Sequence, residues 1–220
     1  MYVYSSIYLP SLLVSICIGL SRPTAHFESD IHMSTVDRHK DLLERDQAVL
    51  VVVDVQERFV DHIFEFDAMV DVIDKAIHGA QILGLPVLVT EQYPAGLGRT
   101  VKKLTSRLAG SAVFEKTRFS SAGAPDFLQA LESLNRRQVM LCGIETHVCI
   151  SQTAHDLIAR GYDVHLLEDG ISSRHFENKT IGLKKIYKAG GITSSLEMAM
   201  FELLQDARAD KFKLIQALIK

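Results

Sequence analysis

The sequence predicts an α/β protein, a three-layer α/β/α sandwich around a mostly parallel six-stranded sheet. From Ala48 onward, short β-branched runs alternate with longer amphipathic stretches. The loops between them are short, and strands separated by helices pair in parallel through right-handed crossovers. The first run, AVLVVVDV (48–55), is apolar without alternation, as a strand covered on both faces must be.

The elements follow in order. After the first strand, DAMVDVIDKAIHGAQILG carries Val70, Ile73, Ile77 and Ile82 at helical spacing, with Asp67 as N-cap and Gly84 as terminator. PVLVTE (86–91) is the second strand. The glycine-punctuated loop QYPAGLG then leads to a short helix from Val101 to Ala109 and to the strand AVFEK (112–116). Pro125 to Leu134 reads as a helix with proline in its first turn, and QVMLCG (138–143) as strand four. A helix from about Thr146 runs through Arg160 to Gly161. DVHLLED (163–169) is strand five, Glu177 to Ala189 a helix, GITSS strand six, and Leu196 to Leu204 a helix. DKFKLIQALIK closes the chain as an amphipathic tail helix.

No linker, charge block, low-complexity tract or repeat divides the 220 residues. The organisation expected is an N-terminal extension over 1–45, one domain over 46–206 and the tail helix over 207–220. Ile7 to Leu20 is apolar but short for a membrane span and interrupted by Pro10. It fits a signal-peptide core, yet no Lys or Arg precedes it. The other reading is that translation begins at Met33, so residues 1–32 are left out of the fold argument.

A hydrophobic content of 47% with 23% charged residues suits a globular protein with a full core. The net charge of −3 gives no basic footprint, which argues against nucleic acid and against an acidic membrane surface as partners. Cys17, Cys142 and Cys149 cannot all pair and include no CxxC, so a reducing, cytoplasmic setting is expected. His147, His155 and His165 lack the HExxH arrangement, and neither a metal nor a cofactor is expected.

In an open parallel sheet, ligands collect beyond the carboxyl ends of the strands. Asp54 closes strand one, Lys116 closes strand three, and Cys149 follows strand four by about a turn. An acid, a cation and a thiol thus reach one sheet edge from three segments. The cation and the helix N-terminus would lower the pKa of the thiol, and Asp54 would take its proton and return it to a leaving amine. N–H groups in the turn GIETHVC would hold an oxyanion. Each residue also has a plain reading: Asp54 capping a turn, Lys116 as a solvated charge, Cys149 and Cys142 as small buried hydrophobes.

The segments LVVVDVQERF, VTEQYPAGLGRTV, FEKTRFS, LCGIETHVCISQTAHDLIARGYDV and EDGISSR resemble those of the isochorismatase-like, or cysteine hydrolase, superfamily. The likeness covers most of Ala48 to Leu204 and is nearest the isochorismatase domain-containing subgroup. It implies an Asp-Lys-Cys triad on Asp54, Lys116 and Cys149, and a cis peptide between Ile144 and Glu145. It further implies an oxyanion hole from the N–H groups of Glu145 and Cys149, pocket neighbours Gln56, Phe59 and Tyr93, and a homo-oligomer. Two departures narrow it. The loop TEQYPAGLG has no histidine of the nicotinamidase metal motif, and true isochorismatases lack the cysteine that stands here at 149. The activity implied is cleavage of an amide in a small molecule through a covalent Cys149 intermediate. A quiet binding or scaffold protein and a thiol redox sensor are the other classes to be weighed.

Overall fold

The computed structural model describes residues 38–220. The apolar stretch Ile7 to Leu20, Cys17 and Met33 lie outside the described residues.

Six strands form one sheet: β1 (Ala48–Val53), β2 (Val87–Gln92), β3 (Ala112–Lys116), β4 (Gln138–Gly143), β5 (Asp163–Ile171) and β6 (Ile192–Ser194). Their order is β3-β2-β1-β4-β5-β6, and every pairing is parallel. Every residue of β1 and β4 is buried, which is why their sequences run apolar without alternation. β3 is an edge strand and exposes Ala112, Val113 and Glu115, yet its last residue, Lys116, is buried. β1 stops two residues earlier than its apolar pattern suggests, because Asp54 turns the chain into the left-handed region at φ 57°.

The helices are α1 (Phe66–Leu83), α2 (Pro94–Leu97), α3 (Lys102–Thr105), α4 (Pro125–Ser133), α5 (Ser151–Ala159), α6 (Phe176–Lys188), α7 (Leu196–Leu204) and α8 (Phe212–Ile219). α1 packs with α3, α7 and α8 in one layer, while α5 and α6 pack together in the other. α1 buries Phe66, Met69, Val70, Ile73, Ala76, Ile77, Ala80 and Leu83, a stripe at three- and four-residue spacing. Asp67 is not its N-cap: the helix begins one residue before it, after Glu65, which adopts φ 51° and accepts the first helical bond from Met69.

The packed unit reaches beyond 46–206 at both ends. Leu43 is fully buried, and the Gln138 side chain accepts from the Glu44 N–H and donates to the Leu42 carbonyl, tying residues 38–47 to the start of β4. At the other end, Ile215 of α8 is buried, and the helix lies against α1. No helix among the described residues is long and apolar enough to cross a membrane.

One buried polar group sets an acid limit on this fold. His165 in β5 is 1% exposed, its Nε2 has no hydrogen-bond partner among the described residues, and burial pulls its pKa down to about 4. A base held neutral in this way stabilises the fold fully above its ordinary titration range, and that contribution is lost as pH falls toward 4. Urea unfolding at pH 7 and pH 4 should show a His165-dependent loss of ~3 kcal/mol, and His165→Leu should remove that part of the pH dependence.

Candidate active site

The order of the strands reverses between β1 and β4, which opens a crevice at their carboxyl ends. Gly143, the last residue of β4, makes the close approach possible. It adopts φ 114°, and a Cβ there would sit 2.1 Å from the Val53 carbonyl oxygen. Any side chain would push β4 away from the end of β1. Gly143→Ala should therefore destabilise the protein by ~3 kcal/mol or more, as measured by thermal or urea unfolding. A loss below about 1 kcal/mol would show that the backbone can give way there.

Beyond Gly143 the chain turns at Ile144 and Glu145, whose peptide bond is cis, and enters a wide π turn, Thr146–Ile150, before α5. The Glu145 carbonyl accepts from Val148 N–H at 3.0 Å and Ile150 N–H at 3.2 Å. Cys149 therefore lies in a π turn and not in the first turn of a regular α-helix. Gly182 of α6 packs on this turn, with its Cβ position 3.0 Å from the backbone of Thr146 and His147.

The three groups expected at this edge are placed together. Lys116 reaches over β2 and donates to Asp54 Oδ2 at 2.6 Å, Gln92 Oε1 at 2.7 Å, Phe119 O at 3.0 Å and Arg118 O at 3.3 Å. Its side chain is 0% exposed, so the reading of Lys116 as a solvated charge fails. The other Asp54 oxygen, Oδ1, accepts from the Thr90 hydroxyl at 2.7 Å, and its backbone N–H donates to the Thr90 carbonyl. The Cys149 thiol is buried and interacts with both Asp54 and Lys116.

The electrostatics run opposite to the expected activation. Burial, and after it the negative charge of Asp54, push the Cys149 thiol up to about 12, against a smaller downward pull from Lys116. Burial is the larger cause, and the Asp54 carboxylate paired with Lys116 offsets the pull of that cation on the sulfur. At rest the Cys149 sulfur is a thiol beside a carboxylate, not a free thiolate. Cys142 is fully buried in β4, its Sγ 3.6 Å from the Val51 carbonyl, and burial pushes its thiol higher still.

Of the pocket neighbours, Gln56 sits beside the loop after β2. It is fully buried, and its amide is occupied: Nε2 donates to Gln92 O and Gly98 O, and Oε1 accepts from Gln92 N–H. It braces the loop after β2, with both amide hydrogens used. Glu91 braces the same loop through Thr100 and Arg99; burial pushes its carboxyl up, but those hydrogen bonds outweigh it and hold it below the usual range. Phe59 ends a short 3-10 turn and packs half-buried on the core. Tyr93 is 57% exposed and, with Pro94, Ala95, Glu115, Lys116 and Thr117, lines a hollow of about 320 Å³.

Thr90 and Gln92 are the site residues the sequence reading did not single out. Their signal was present: TEQ is a polar ending on a buried strand, and such groups need partners. The residues Ser172, Ser173 and Arg174 after β5 are likewise bonded to the turn that carries Cys149. Among the described residues no group of three or more His, Cys, Asp or Glu side chains is placed to hold a metal ion.

Residues 48–198 match the family model of the isochorismatase domain, and the chain belongs to that family. Within it, the chain falls with the isochorismatase domain-containing proteins. It is 42% identical over 175 residues to isochorismatase domain-containing protein 1 of Danio rerio, covering 79% of this chain and 61% of that one. It is 38% identical over 188 residues to isochorismatase domain-containing protein 2 of Xenopus laevis, covering 85% and 90%. The chain thus spans about three-fifths of the length of the Danio rerio relative. Among solved structures, the MAR1 ribonuclease of Caenorhabditis elegans superposes with a TM-score of 0.78 at 37% identity, over 81% of this chain and 92% of that one.

Proposed function

We propose that this chain is a cysteine-dependent hydrolase that cleaves the C–N bond of a small-molecule amide through an acyl-Cys149 intermediate. The observation that carries the reading is the fully buried Lys116–Asp54 pair beside the Cys149 thiol. Burying two charges is costly unless both are well bonded. Here every polar atom of the pair is bonded, and the third neighbour is a nucleophile.

The chemistry follows from the resting proton. As the sulfur attacks the carbonyl carbon, its proton passes to Asp54 and the C–S bond forms. Lys116 keeps the carboxylate oriented and balances the charge that moves. The oxyanion is taken by the backbone N–H groups of Glu145 and Cys149; the Glu145 N–H is committed to no acceptor among the described residues. Collapse breaks the C–N bond, and Asp54 returns the proton to the departing amine. Water then attacks the thioester with Asp54 again as base. The thiol-sensor reading fits less well, since the thiol is buried and held protonated and Cys142 is enclosed in the sheet. A small-molecule substrate and a homo-oligomeric state are part of the proposal.

The test is single-turnover mass spectrometry with a panel of small amides and activated esters. An acyl mass on the peptide carrying Cys149, lost on hydrolysis and absent in Cys149→Ser, is the expected result. Turnover that survives Cys149→Ser would sink the reading. A labelled single-stranded RNA belongs in the panel because the Caenorhabditis elegans neighbour is named a ribonuclease; RNA cleavage unchanged in Cys149→Ser would favour that chemistry instead.

A further inference from the structure

The three residues that follow β5 are bonded one by one to the turn that carries the nucleophile. The Ser172 carbonyl accepts from the Thr146 N–H at 3.0 Å and from the Thr146 hydroxyl at 2.9 Å. The Ser173 hydroxyl pairs with His147 Nδ1 at 3.1 Å. Arg174 gives Glu145 Oε2 two bonds, from its backbone N–H at 2.9 Å and from Nε at 3.1 Å. On its other side the same segment is anchored to Phe64, through Ser172 Oγ to Phe64 O at 2.6 Å and Phe64 N–H to Ser173 O at 3.0 Å.

These bonds differ in what they hold. Ser172 and Ser173 fix Thr146 and His147, which lie within the turn. Arg174 alone fixes the side chain of Glu145, the residue at the entrance of the turn. The Glu145 carboxylate is 9% exposed, while the Arg174 side chain is 55% exposed. A nearly buried carboxylate that loses its cation must find water. In Arg174→Ala the backbone N–H bond to Oε2 remains while the Nε bond and the positive charge are lost, so the carboxylate keeps one donor and is drawn toward water, loosening the backbone of Glu145. The carbonyl side of Glu145 is already held by Val148 and Ile150. The N–H side faces the substrate in the mechanism above.

We propose that Arg174 is a positioning residue: through the Glu145 carboxylate it fixes the backbone N–H that stabilises the oxyanion. This inference rests on the proposed hydrolase chemistry. It predicts a split between two reactions of the same sulfur. Acetylation by p-nitrophenyl acetate passes through an oxyanion: the C–S bond forms, the ester C–O bond breaks, p-nitrophenolate leaves, and the thiol proton goes to Asp54. Alkylation by iodoacetamide displaces iodide at a saturated carbon and makes no oxyanion.

Both rates are to be measured at Cys149 by peptide mass spectrometry in the native protein, Arg174→Ala, Arg174→Lys and Glu145→Gln. The expected result is a fall of roughly 10- to 100-fold in acetylation for Arg174→Ala, with alkylation within about threefold of native. Arg174→Lys restores only part, because an ammonium does not reproduce the planar Nε bond. Glu145→Gln, which keeps an oxygen acceptor without the charge, should also fall between native and Arg174→Ala. If the two rates fall together, or acetylation is unchanged in Arg174→Ala, the positioning role is wrong. If the native protein is alkylated at Cys149 but never acetylated there, the hydrolase reading itself fails and takes this inference with it. That outcome is recognised without any variant.

Discussion

Lys116→Met lowers stability by on the order of 3–5 kcal/mol, the cost of leaving a buried carboxylate without its cation. Lys116 is wholly enclosed and supplies the only charge-assisted bond to Asp54 Oδ2 among the described residues, and the neutral Thr90 hydroxyl on Oδ1 does not replace it. The same substitution also strands Gln92 Oε1 and the Phe119 carbonyl, both of which accept from the ammonium. Urea unfolding of the variant checks the size. The double variant Lys116→Met/Asp54→Asn should recover a large part of the loss, because the second change removes the unpaired charge and not the packing. A loss under about 1 kcal/mol in Lys116→Met would mean that the pair behaves as a surface ion pair.

The second large effect is on chemistry. Asp54→Asn keeps the size and one acceptor oxygen of the side chain but cannot take the thiol proton. Release of the amine from an amide substrate at pH 7 should fall by roughly 10²- to 10⁴-fold, the usual worth of a placed acid–base group, because no group returns a proton to the leaving nitrogen even where the sulfur ionises more readily. The change also leaves the buried Lys116 ammonium without its anion and lowers stability, so the comparison is made at a temperature where circular dichroism shows both proteins folded. A variant that keeps more than about a tenth of native amine release would show that some other group carries the proton.

The parts of the structure legible in the sequence were those that burial alone decides. AVLVVV and QVMLCG are apolar throughout because β1 and β4 are central strands, and the edge strand AVFEK reads differently because one side is open. Asp54, Lys116 and Cys149 could be placed at one sheet edge from topology, since that needs only the direction of each strand. The misses came where two opposing effects had to be weighed. The direction of the thiol's pKa depends on burial and the Asp54 charge together against the Lys116 cation. For Gln56, which the resemblance implies as a pocket neighbour, sequence does not show its bracing role; that is seen only in its three bonds to Gln92 and Gly98. Residues 38–45, polar in pattern, belong to the stretch expected as an extension. They are tied down by Gln138, whose side chain bonds their backbone, and a hydrophobic pattern cannot show that. The bond from Arg174 to Glu145 links residues 29 apart in sequence, and neither residue has a neighbour that announces it.

The central claim is that Cys149 rests as a protonated thiol beside Asp54 and loses its proton only on attack. The measurement that tests it most directly is the pH dependence of iodoacetamide alkylation at Cys149 in the native protein and in Asp54→Asn. The claim predicts that the native rate keeps rising well above the ordinary thiol value of about 8.5, and that Asp54→Asn shifts the profile to lower pH by removing the negative neighbour while Lys116 remains. A native profile with its midpoint at or below that ordinary value, or a shift to higher pH in Asp54→Asn, would contradict it.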